Sequence, residues 1–230
     1  LQKKTALEKI TGGSIMSEQK VSNVVYQGKI PGRVKYSFAF GALGKDLIYG
    51  MIATFSMIYF TDIIKVAPAF IGSMFFVAKI WDAFNDLFMG MIVDNTRSRF
   101  GKFVPWLVLG TLINAFVFIT VFTDFHLSGV GLCVFATVIY ILWGMTYTIM
   151  DIPYWSIIPN LTSDPEEREK VSVLPRIFAS IGQSLIIAGF GVQIIKGWVE
   201  IIWDITDLLL LLLSYLFFIN FISLEYSFLK

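Results

Sequence analysis

The chain has 230 residues, of which 56% are hydrophobic and only 15% are charged, and its mean hydropathy is +0.73. A soluble domain carries about 25% charged residues, so the composition excludes an ordinary soluble protein and predicts an all-α membrane protein. The formal net charge of +1 indicates no partner by itself, because the position of charges matters more than their sum in a membrane protein.

A polar amino-terminal tail, residues 1–35, precedes the apolar part of the chain. The tail lacks an apolar core like that of a secretory signal, so we expect membrane insertion to begin with the first apolar run. The first methionine is Met16, and we expect residues 1–15 to be upstream or non-native sequence.

Five apolar runs follow, and each is long enough to cross the hydrocarbon core of a bilayer as a helix. In chain order they are Tyr36–Phe60, Pro68–Val93, Phe103–Phe122, Gly129–Ile158 and Ile177–Ile195. A sixth and shorter run, Leu208–Ile222, lies in a tail of atypical composition, residues 198–230. We expect this apolar tail to be either a sixth helix or the product of a frameshift.

Lysine and arginine are distributed unevenly among the segments that connect these runs. They cluster before the first run and in the second and fourth loops, whereas the third loop contains none. The clustered residues are Lys20, Lys29, Arg33, Lys35, Arg97, Arg99, Lys102, Arg168 and Lys170. Because basic loops remain on the cytoplasmic side, the pattern predicts a multi-pass protein of the cytoplasmic membrane with its amino terminus in the cytoplasm.

Four carboxylates lie inside the apolar runs, namely Asp46, Asp82, Asp86 and Asp151. Each costs roughly 2.5–3.5 kcal/mol at the centre of a membrane helix, so together they oppose insertion by on the order of 10 kcal/mol. Ionisable residues at such positions usually mark a pathway for ions or substrate. We therefore interpret these acids as candidate binding residues.

Asp82 and Asp86 are four residues apart and share one helix face with Asn85. Thr148 lies one helical turn before Asp151 in the fourth run. If the helix face that carries Thr148 meets the face that carries Asp82 and Asp86, the two faces together supply several hard oxygen ligands. Such oxygens suit Na⁺ or Li⁺, and two close carboxylates can instead share a proton.

Salt bridges are the structural alternative for these acids. Lys79 lies three residues before Asp82, so their pairing within one helix is geometrically easy. Lys45 offers a similar partner in the first run. One lysine cannot neutralise both Asp82 and Asp86, and for this reason we favour the cation site.

A second polar group surrounds Asp151. Tyr147, Asp151 and Trp155 are spaced by four residues and lie on one helix face. The carboxylate could accept hydrogen bonds from the hydroxyls of a sugar, and the indole could pack against its C–H face. Lys45 and Asp46 add a donor and an acceptor from the first run. The alternative role for Trp155 is an anchor at the membrane interface.

The second loop, residues 90–102, contains Asp94 followed by Arg97 and Arg99. The simplest explanation for its basic residues is that loops on the cytoplasmic side of a membrane protein are rich in lysine and arginine. An acid at a helix end followed by arginines could also form a charge clamp that breaks when helical bodies move. We predict that this loop acts as a conformational switch.

Five strings of the sequence resemble the melibiose-carrier group of the glycoside-pentoside-hexuronide:cation symporters, in the major facilitator superfamily. They are FGALGKD (Phe40–Asp46), KIWDAFNDLFMG (Lys79–Gly90), TRSRFGKFVPW (Thr96–Trp106), YILWGMTYTIMDIPYWS (Tyr140–Ser156) and PRIFAS (Pro175–Ser180). The resemblance identifies residues 36–197 as the amino-terminal half of such a transporter.

The resemblance implies cation-coupled symport of a glycoside, with a galactoside such as melibiose as the expected sugar and with no cofactor. By similarity, the coupling cation (Na⁺, Li⁺ or H⁺) would be bound by Asp82, Asn85, Asp86 and Thr148. By similarity, the sugar would be contacted by Lys45, Asp46, Asp151, Trp155 and Arg176. The expected partners are therefore a small-molecule glycoside, a monovalent cation and the lipid bilayer, and no nucleic acid.

Transporters of this superfamily consist of two six-helix halves with the substrate site between them. The chain encodes one half at most, so we expect transport to require a second transporter half. The alternative function is a non-transporting membrane remnant or subunit in which the buried acids are structural. An enzyme is not expected, because the acids have no accompanying nucleophile or metal-ligand set.

Overall fold

The computed structural model describes residue 26, residues 29–123 and residues 125–195, and these residues form five α-helices. In chain order they are α1 (Gly32–Ile58), α2 (Pro68–Asn95), α3 (Val104–Val121), α4 (Gly129–Leu161) and α5 (Pro165–Ile195). The prediction of a helix for each of the five apolar runs is confirmed. The sixth run, Leu208–Ile222, lies outside the described residues, as do residues 1–15 and 198–230.

Local sequence explains where several helices begin and end. Pro68 lies in the first turn of α2, where its missing N–H leaves no hydrogen bond unmade. Asp164 caps α5, because its carboxylate accepts a hydrogen bond of 3.0 Å from the Glu166 amide. α1 passes into a π-helical turn, Tyr59–Ile63, and the chain then turns away at Lys65, which has a φ of 66°.

α4 lies at the centre of the bundle, since it packs against both α3 and α2, while α1 packs most extensively against α5. Glycines allow the closest approaches between these helices. A Cβ at Gly110 of α3 would lie 2.8 Å from the amide nitrogen of Met150, and one at Gly182 of α5 would lie 2.9 Å from the carbonyl oxygen of Leu43. Membrane helices associate through close backbone contacts of this kind.

Large apolar side chains cover the surface of the bundle as well as its interior. Phe76 on α2, Phe116 on α3 and Val130 on α4 are all exposed. Four of the described helices are long and apolar enough to cross a membrane, with the ranges Gly32–Ile63, Val104–Val121, Gly129–Leu161 and Pro165–Gly189. α2, which carries Lys79, Asp82 and Asp86 among its apolar residues, is not one of these four.

The start of α1, the start of α3 and the end of α4 meet at one end of the bundle, where Ile30, Val104 and Ile158 share a buried cluster. We call this the basic end, because the clustered lysines and arginines that the structure describes, such as Lys35, Lys102 and Arg168, belong to the segments at this end. Tyr26, before α1, also lies there. The Tyr26 amide donates to the Leu161 carbonyl at 3.0 Å.

Glu167 in the first turn of α5 connects the basic end to α1. Its carboxylate accepts a hydrogen bond of 3.1 Å from the Ile30 amide and forms ion pairs with Lys35 and, at 3.3 Å, with Lys170. Because Glu167 is only 3% exposed, these contacts replace the water that its carboxylate loses on folding.

The variant Glu167→Gln tests this connection, because it keeps the shape of the side chain and removes the charge that Lys35 and Lys170 share. We expect its thermal unfolding midpoint in detergent to be a few degrees lower than that of the unmodified chain. The control is Glu166→Gln, whose carboxylate is 85% exposed and should contribute little. Equal midpoints for the two variants would contradict the role of Glu167.

Candidate functional site

A buried ammonium lies at the contact between α1 and α4. The Nζ of Lys45 donates to the Tyr147 hydroxyl at 2.6 Å and to Asp46 Oδ1 at 3.2 Å, and it lies 2.7 Å from Asp151 Oδ1. These contacts occupy all three donors of an ammonium group. The Tyr147 hydroxyl in turn donates to Asp46 Oδ1 at 3.1 Å. We call Lys45, Asp46, Tyr147 and Asp151 the lysine cluster.

Trp155 lies beside the lysine cluster on α4. Its Nε1 donates to Asp151 Oδ1 at 3.1 Å, and the centre of its ring lies 5.7 Å from Lys45 Nζ. The predicted shared face of Asp151 and Trp155 is therefore present. The Asp151 side chain is 27% exposed and Trp155 is half-buried, so both side chains are accessible to a ligand.

Tyr154, the neighbour of Trp155, fixes the position of α4 against α1. Its hydroxyl donates to the Phe38 carbonyl, and the two rings stack with their centres 4.3 Å apart. Tyr154 also meets the Trp155 ring edge to face, with the ring centres 5.3 Å apart. The orientation of the Trp155 indole is thus set by packing as well as by its hydrogen bond.

A second group of polar side chains joins α2 to α4. Thr148 Oγ1 donates to Asp86 Oδ1 at 3.0 Å, and Lys79 Nζ donates to Asp82 Oδ2 at 3.1 Å. Asn85 contributes a buried Nδ2 that has no hydrogen-bond partner among the described residues. We call Asp82, Asn85, Asp86 and Thr148 the acid cluster.

The acid cluster offers two carboxylates and neutral oxygen ligands. Within the described ranges, no group of three or more His, Cys, Asp or Glu side chains is placed to hold a metal ion. A pair of carboxylates with hydroxyl and amide oxygens is chemically suited to a small hard cation of low charge. Lys79, the salt-bridge partner, is 62% exposed and can move away from Asp82.

Gly144 allows the Asp82 carboxylate to lie directly against α4. A Cβ at this position would be 2.7 Å from Asp82 Oδ1, which is closer than real Cβ atoms approach other atoms. The Gly144 carbonyl lies 3.1 Å from Thr148 Oγ1, so the single hydroxyl proton of Thr148 is shared between this carbonyl and Asp86 Oδ1. The distance between α2 and α4 at the acid cluster therefore depends on the absence of a side chain at Gly144.

The two clusters occupy neighbouring strips of α4. Tyr147 and Asp151 contact the buried lysine of α1, whereas Gly144 and Thr148 contact the acids of α2. Because Tyr147 and Thr148 are consecutive residues, the clusters lie within about one helical turn of each other. α4 is the element that both clusters share.

Arg176, which only the family resemblance suggested, does not join the lysine cluster. It lies exposed on α5, and its side chain forms no ion pair with any residue that the structure describes. Its carbonyl accepts a hydrogen bond of 2.9 Å from Ser180 Oγ, as is common within helices. No contact of the Arg176 side chain therefore supports its predicted role.

In the predicted switch loop, the structure pairs Asp94 with Lys102, at 2.8 Å, rather than with Arg97 or Arg99. The reason is a tight turn. Gly101 has a φ of 91°, which reverses the chain after the arginines and directs Lys102 back toward the end of α2. A salt bridge therefore exists in this loop, with a different cation from the one that the sequence pattern suggested.

The sequence pattern assigns no role to Gly144 and places Tyr147 only on the face of Asp151. The four-residue spacing from Asp151 was the available signal for Tyr147. For Gly144 the signal was its four-residue spacing from Thr148, which puts both residues on the strip that faces the acids. Neither spacing alone indicates the contact that the fold creates.

Comparison with known proteins identifies the family. The sequence profile described as "MFS/sugar transport protein" matches residues 37–223. The chain belongs to this family. The predicted resemblance to sugar symporters and the all-α transporter fold are thereby confirmed, and so is the expectation that the protein is not an enzyme. The match to the MFS/sugar transport family ends at residue 223, whereas the resemblance found from the motifs covers residues 36–197.

Relatives in the MFS/sugar transport family are named for different sugars. The isoprimeverose transporter of Lactiplantibacillus pentosus is 30% identical over 165 residues, which cover 72% of this chain and 34% of that protein. The lactose permease of Leuconostoc lactis is 31% identical over 159 residues, which cover 64% of this chain and 25% of that permease. The glucuronide carrier protein homolog of Escherichia coli (strain K12) is 33% identical over 153 residues, which cover 65% of this chain and 33% of that carrier. The chain thus spans between a quarter and about a third of the length of these relatives.

The variant Gly144→Ala tests the contact between Asp82 and α4. The added methyl group forces the carboxylate or the helix to move, so we expect a loss of about 1–3 kcal/mol in the free energy of unfolding. The control is Gly131→Ala on the same helix, where nothing lies within 4 Å of the added Cβ. That change should be neutral or stabilise by up to about 1 kcal/mol. Equal stability of the two variants in detergent would show that Asp82 does not lie against Gly144.

The variant Lys45→Met tests the buried ammonium, because it leaves Asp46 and Asp151 without their cation. Breaking a buried pair by removing one partner costs about 3–5 kcal/mol, and partial exposure of Asp151 places the expected loss at the lower end. Lys79→Met is the matched control, and its loss should be at most about 1 kcal/mol because Lys79 is 62% exposed. Thermal unfolding in detergent measures both, and a Lys45 variant as stable as the Lys79 variant would refute the assignment.

Proposed function

We propose that the chain forms one side of a cation-coupled sugar symporter, in which the lysine cluster and Trp155 bind the sugar and the acid cluster binds Na⁺, Li⁺ or H⁺. The observation that carries this proposal is that α4 holds both clusters on adjacent strips. A charge added at one cluster therefore changes the electrostatic environment of the other. Membership of a sugar transport family supports a sugar as the transported molecule.

The hydrogen bonds of the lysine cluster favour a neutral glycoside over a hexuronide. All three donors of Lys45 are already used, so the ammonium has none left for the carboxylate of a sugar acid. Asp46 and Asp151 bind this ammonium through Oδ1, and their Oδ2 atoms accept no hydrogen bond from the described residues. Those oxygens are suited to accept hydrogen bonds from sugar hydroxyls, with the Trp155 ring packing against the C–H face. A galactoside is the sugar that we propose.

The acid cluster explains how a cation would assist sugar binding. Asp82 and Asp86 lie on one face of α2 and repel each other when both are ionised. A monovalent cation or a proton between them reduces this repulsion and steadies α2 against Thr148 of α4. The same helix presents Asp151 to the sugar, so sugar binds more tightly once the cation is in place, and the coupling is reciprocal.

The proposed arrangement places the protein in the cytoplasmic membrane with its basic end toward the cytoplasm, as the loop charges predict. The remaining wall of the sugar site would come from a second helical body, which rocks against this one to alternate access. The Asp94–Lys102 salt bridge lies at the basic end and is suited to break during such movement. By family resemblance, Arg176 remains a proposed sugar contact.

The experiment is binding of a labelled galactoside to membranes that contain the 230-residue chain, with and without sodium. We expect sodium to increase the affinity, and unlabelled galactoside to compete where a glucuronide does not. Asp82→Asn should abolish the sodium effect while leaving the thermal unfolding midpoint within a few degrees. Galactoside binding that is equally tight with and without sodium would contradict the proposed coupling between the two clusters, whereas absence of binding by a folded, inserted chain would show that the sugar site requires the second helical body. Misfolding of Asp82→Asn would favour the alternative in which the acids are structural.

A further inference from the structure

Asn114 of α3 is a fully buried amide that hydrogen-bonds to both a side chain and the backbone of α4. Its Nδ2 donates to the Thr146 hydroxyl at 2.9 Å and to the Trp143 carbonyl at 3.3 Å. The Thr146 hydroxyl in turn donates to the same carbonyl at 3.0 Å. The orientation of the amide follows from these partners, because a carbonyl can only accept a hydrogen bond. We call Asn114, Trp143 and Thr146 the amide clamp.

The amide clamp holds the turn of α4 that contacts the acid cluster. Gly144 directly follows Trp143, and Thr148 lies one helical turn after Gly144. These two residues are the ones that lie against the carboxylates of α2, through the open space at Gly144 and through the Thr148 hydroxyl. Because the backbone of a helix is continuous and internally hydrogen-bonded, a clamp on the Trp143 carbonyl also fixes Gly144 and Thr148.

The position of α2 depends on this turn. Among the described helices, α2 packs chiefly against α4, and α3 contacts α4 far more extensively than it contacts α2. The effect of α3 on the acid cluster therefore passes through α4. The lysine cluster attaches a neighbouring strip of α4 to α1, so the amide clamp and the lysine cluster together set the rotation of α4 about its axis.

Stability alone does not explain an asparagine at this position. Asn114 Oδ1 is buried and has no hydrogen-bond partner among the described residues. An unpaired buried acceptor is costly, and an apolar side chain of similar volume would remove that cost. Leucine would leave no donor of α4 unpaired, since the Thr146 hydroxyl would still bond to the Trp143 carbonyl. Holding α4 in one orientation is the better explanation for the amide.

We propose that Asn114 is a positioning residue for the cation site, which fixes α4 so that Gly144 and the Thr148 hydroxyl meet the acids of α2. This inference rests on the proposed function, and it names a residue that lies outside the recognised motifs. Asn114 acts on the site through α4. When the amide clamp is lost, α4 can turn about its axis, the oxygen ligands of the two helices separate, and the affinity for the cation falls.

The test measures the sodium affinity of the 230-residue chain in detergent. The affinity is obtained from the dependence of the thermal unfolding midpoint on sodium concentration, with choline replacing sodium at constant ionic strength. Asn114→Leu removes both hydrogen bonds and keeps a similar volume. We expect its sodium affinity to be weaker by at least about threefold, which corresponds to one hydrogen bond between membrane helices. Its midpoint in choline alone should stay within a few degrees of that of the unmodified chain.

A second variant tests the other side of the amide clamp. Thr146→Val removes the hydroxyl that accepts from Asn114 and keeps the shape of the side chain, so we expect a similar loss of sodium affinity. Because both residues act through one clamp, the double variant should lose no more than either single variant. If Asn114→Leu does not fold, Thr146→Val decides the question.

Thr111→Val is the matched control on α3. Thr111 is also buried against α4, but its hydroxyl donates to the Leu107 carbonyl of its own helix at 2.6 Å. Its contact with α4 is weak, since the Met150 sulfur lies 3.8 Å away. Sodium affinity should therefore be unchanged in this variant.

The possible failures are distinguishable. If neither sodium nor lithium changes the midpoint of the unmodified chain, the proposed sodium or lithium site fails and this inference fails with it. If the unmodified chain binds sodium and Asn114→Leu binds it equally tightly, only the role of Asn114 is overturned. A lower midpoint in choline with unchanged sodium affinity would show a purely structural role. Losses that add in the double variant would show that the two residues act separately, which would also overturn the inference.

Discussion

The buried ammonium of Lys45 is the constraint on which the rest of the bundle depends. Removing an ammonium from water costs several kcal/mol unless good partners replace the water. Here one partner, Asp46, comes from α1, and two, Tyr147 and Asp151, come from α4. The two helices must therefore keep the spacing at which both α4 side chains reach the Nζ atom. The same spacing orients Trp155, whose indole N–H bonds to the Asp151 oxygen that the lysine also contacts.

α4 meets this requirement while it also contacts α2 and α3, and small residues make that possible. Gly110 brings the backbone of α3 close to the Met150 amide, and Gly144 leaves room for the Asp82 carboxylate. A side chain at either glycine would push a neighbouring helix away from α4, and the polar contacts would lengthen with it. The candidate site is therefore built from positions without side chains as much as from charged ones.

Helices and shared faces could be predicted from the sequence, because spacing along a helix is a local property. The five described helices and the common face of Asp82 and Asp86 are of this kind. The choice of partner is not local. Lys45 and Tyr147 are 102 residues apart, and only the packing of α1 on α4 brings them together. At the end of α2, Asp94 forms its salt bridge with Lys102 and not with an arginine, because the chain reverses at Gly101, which has a positive φ. The charge pattern alone does not indicate this reversal.

Charge balance connects the two clusters in the proposed mechanism. The lysine cluster, and the acid cluster taken together with Lys79, each combine one ammonium with two carboxylates, so each carries one net negative charge when its groups are ionised. A bound monovalent cation cancels the charge of the acid cluster, whereas a neutral sugar leaves that of the lysine cluster unchanged. Charges in a membrane interior are weakly screened, so cancelling one lowers the cost of covering Asp151 with a sugar. In the proposed mechanism, electrostatics therefore favours binding of the cation before the sugar.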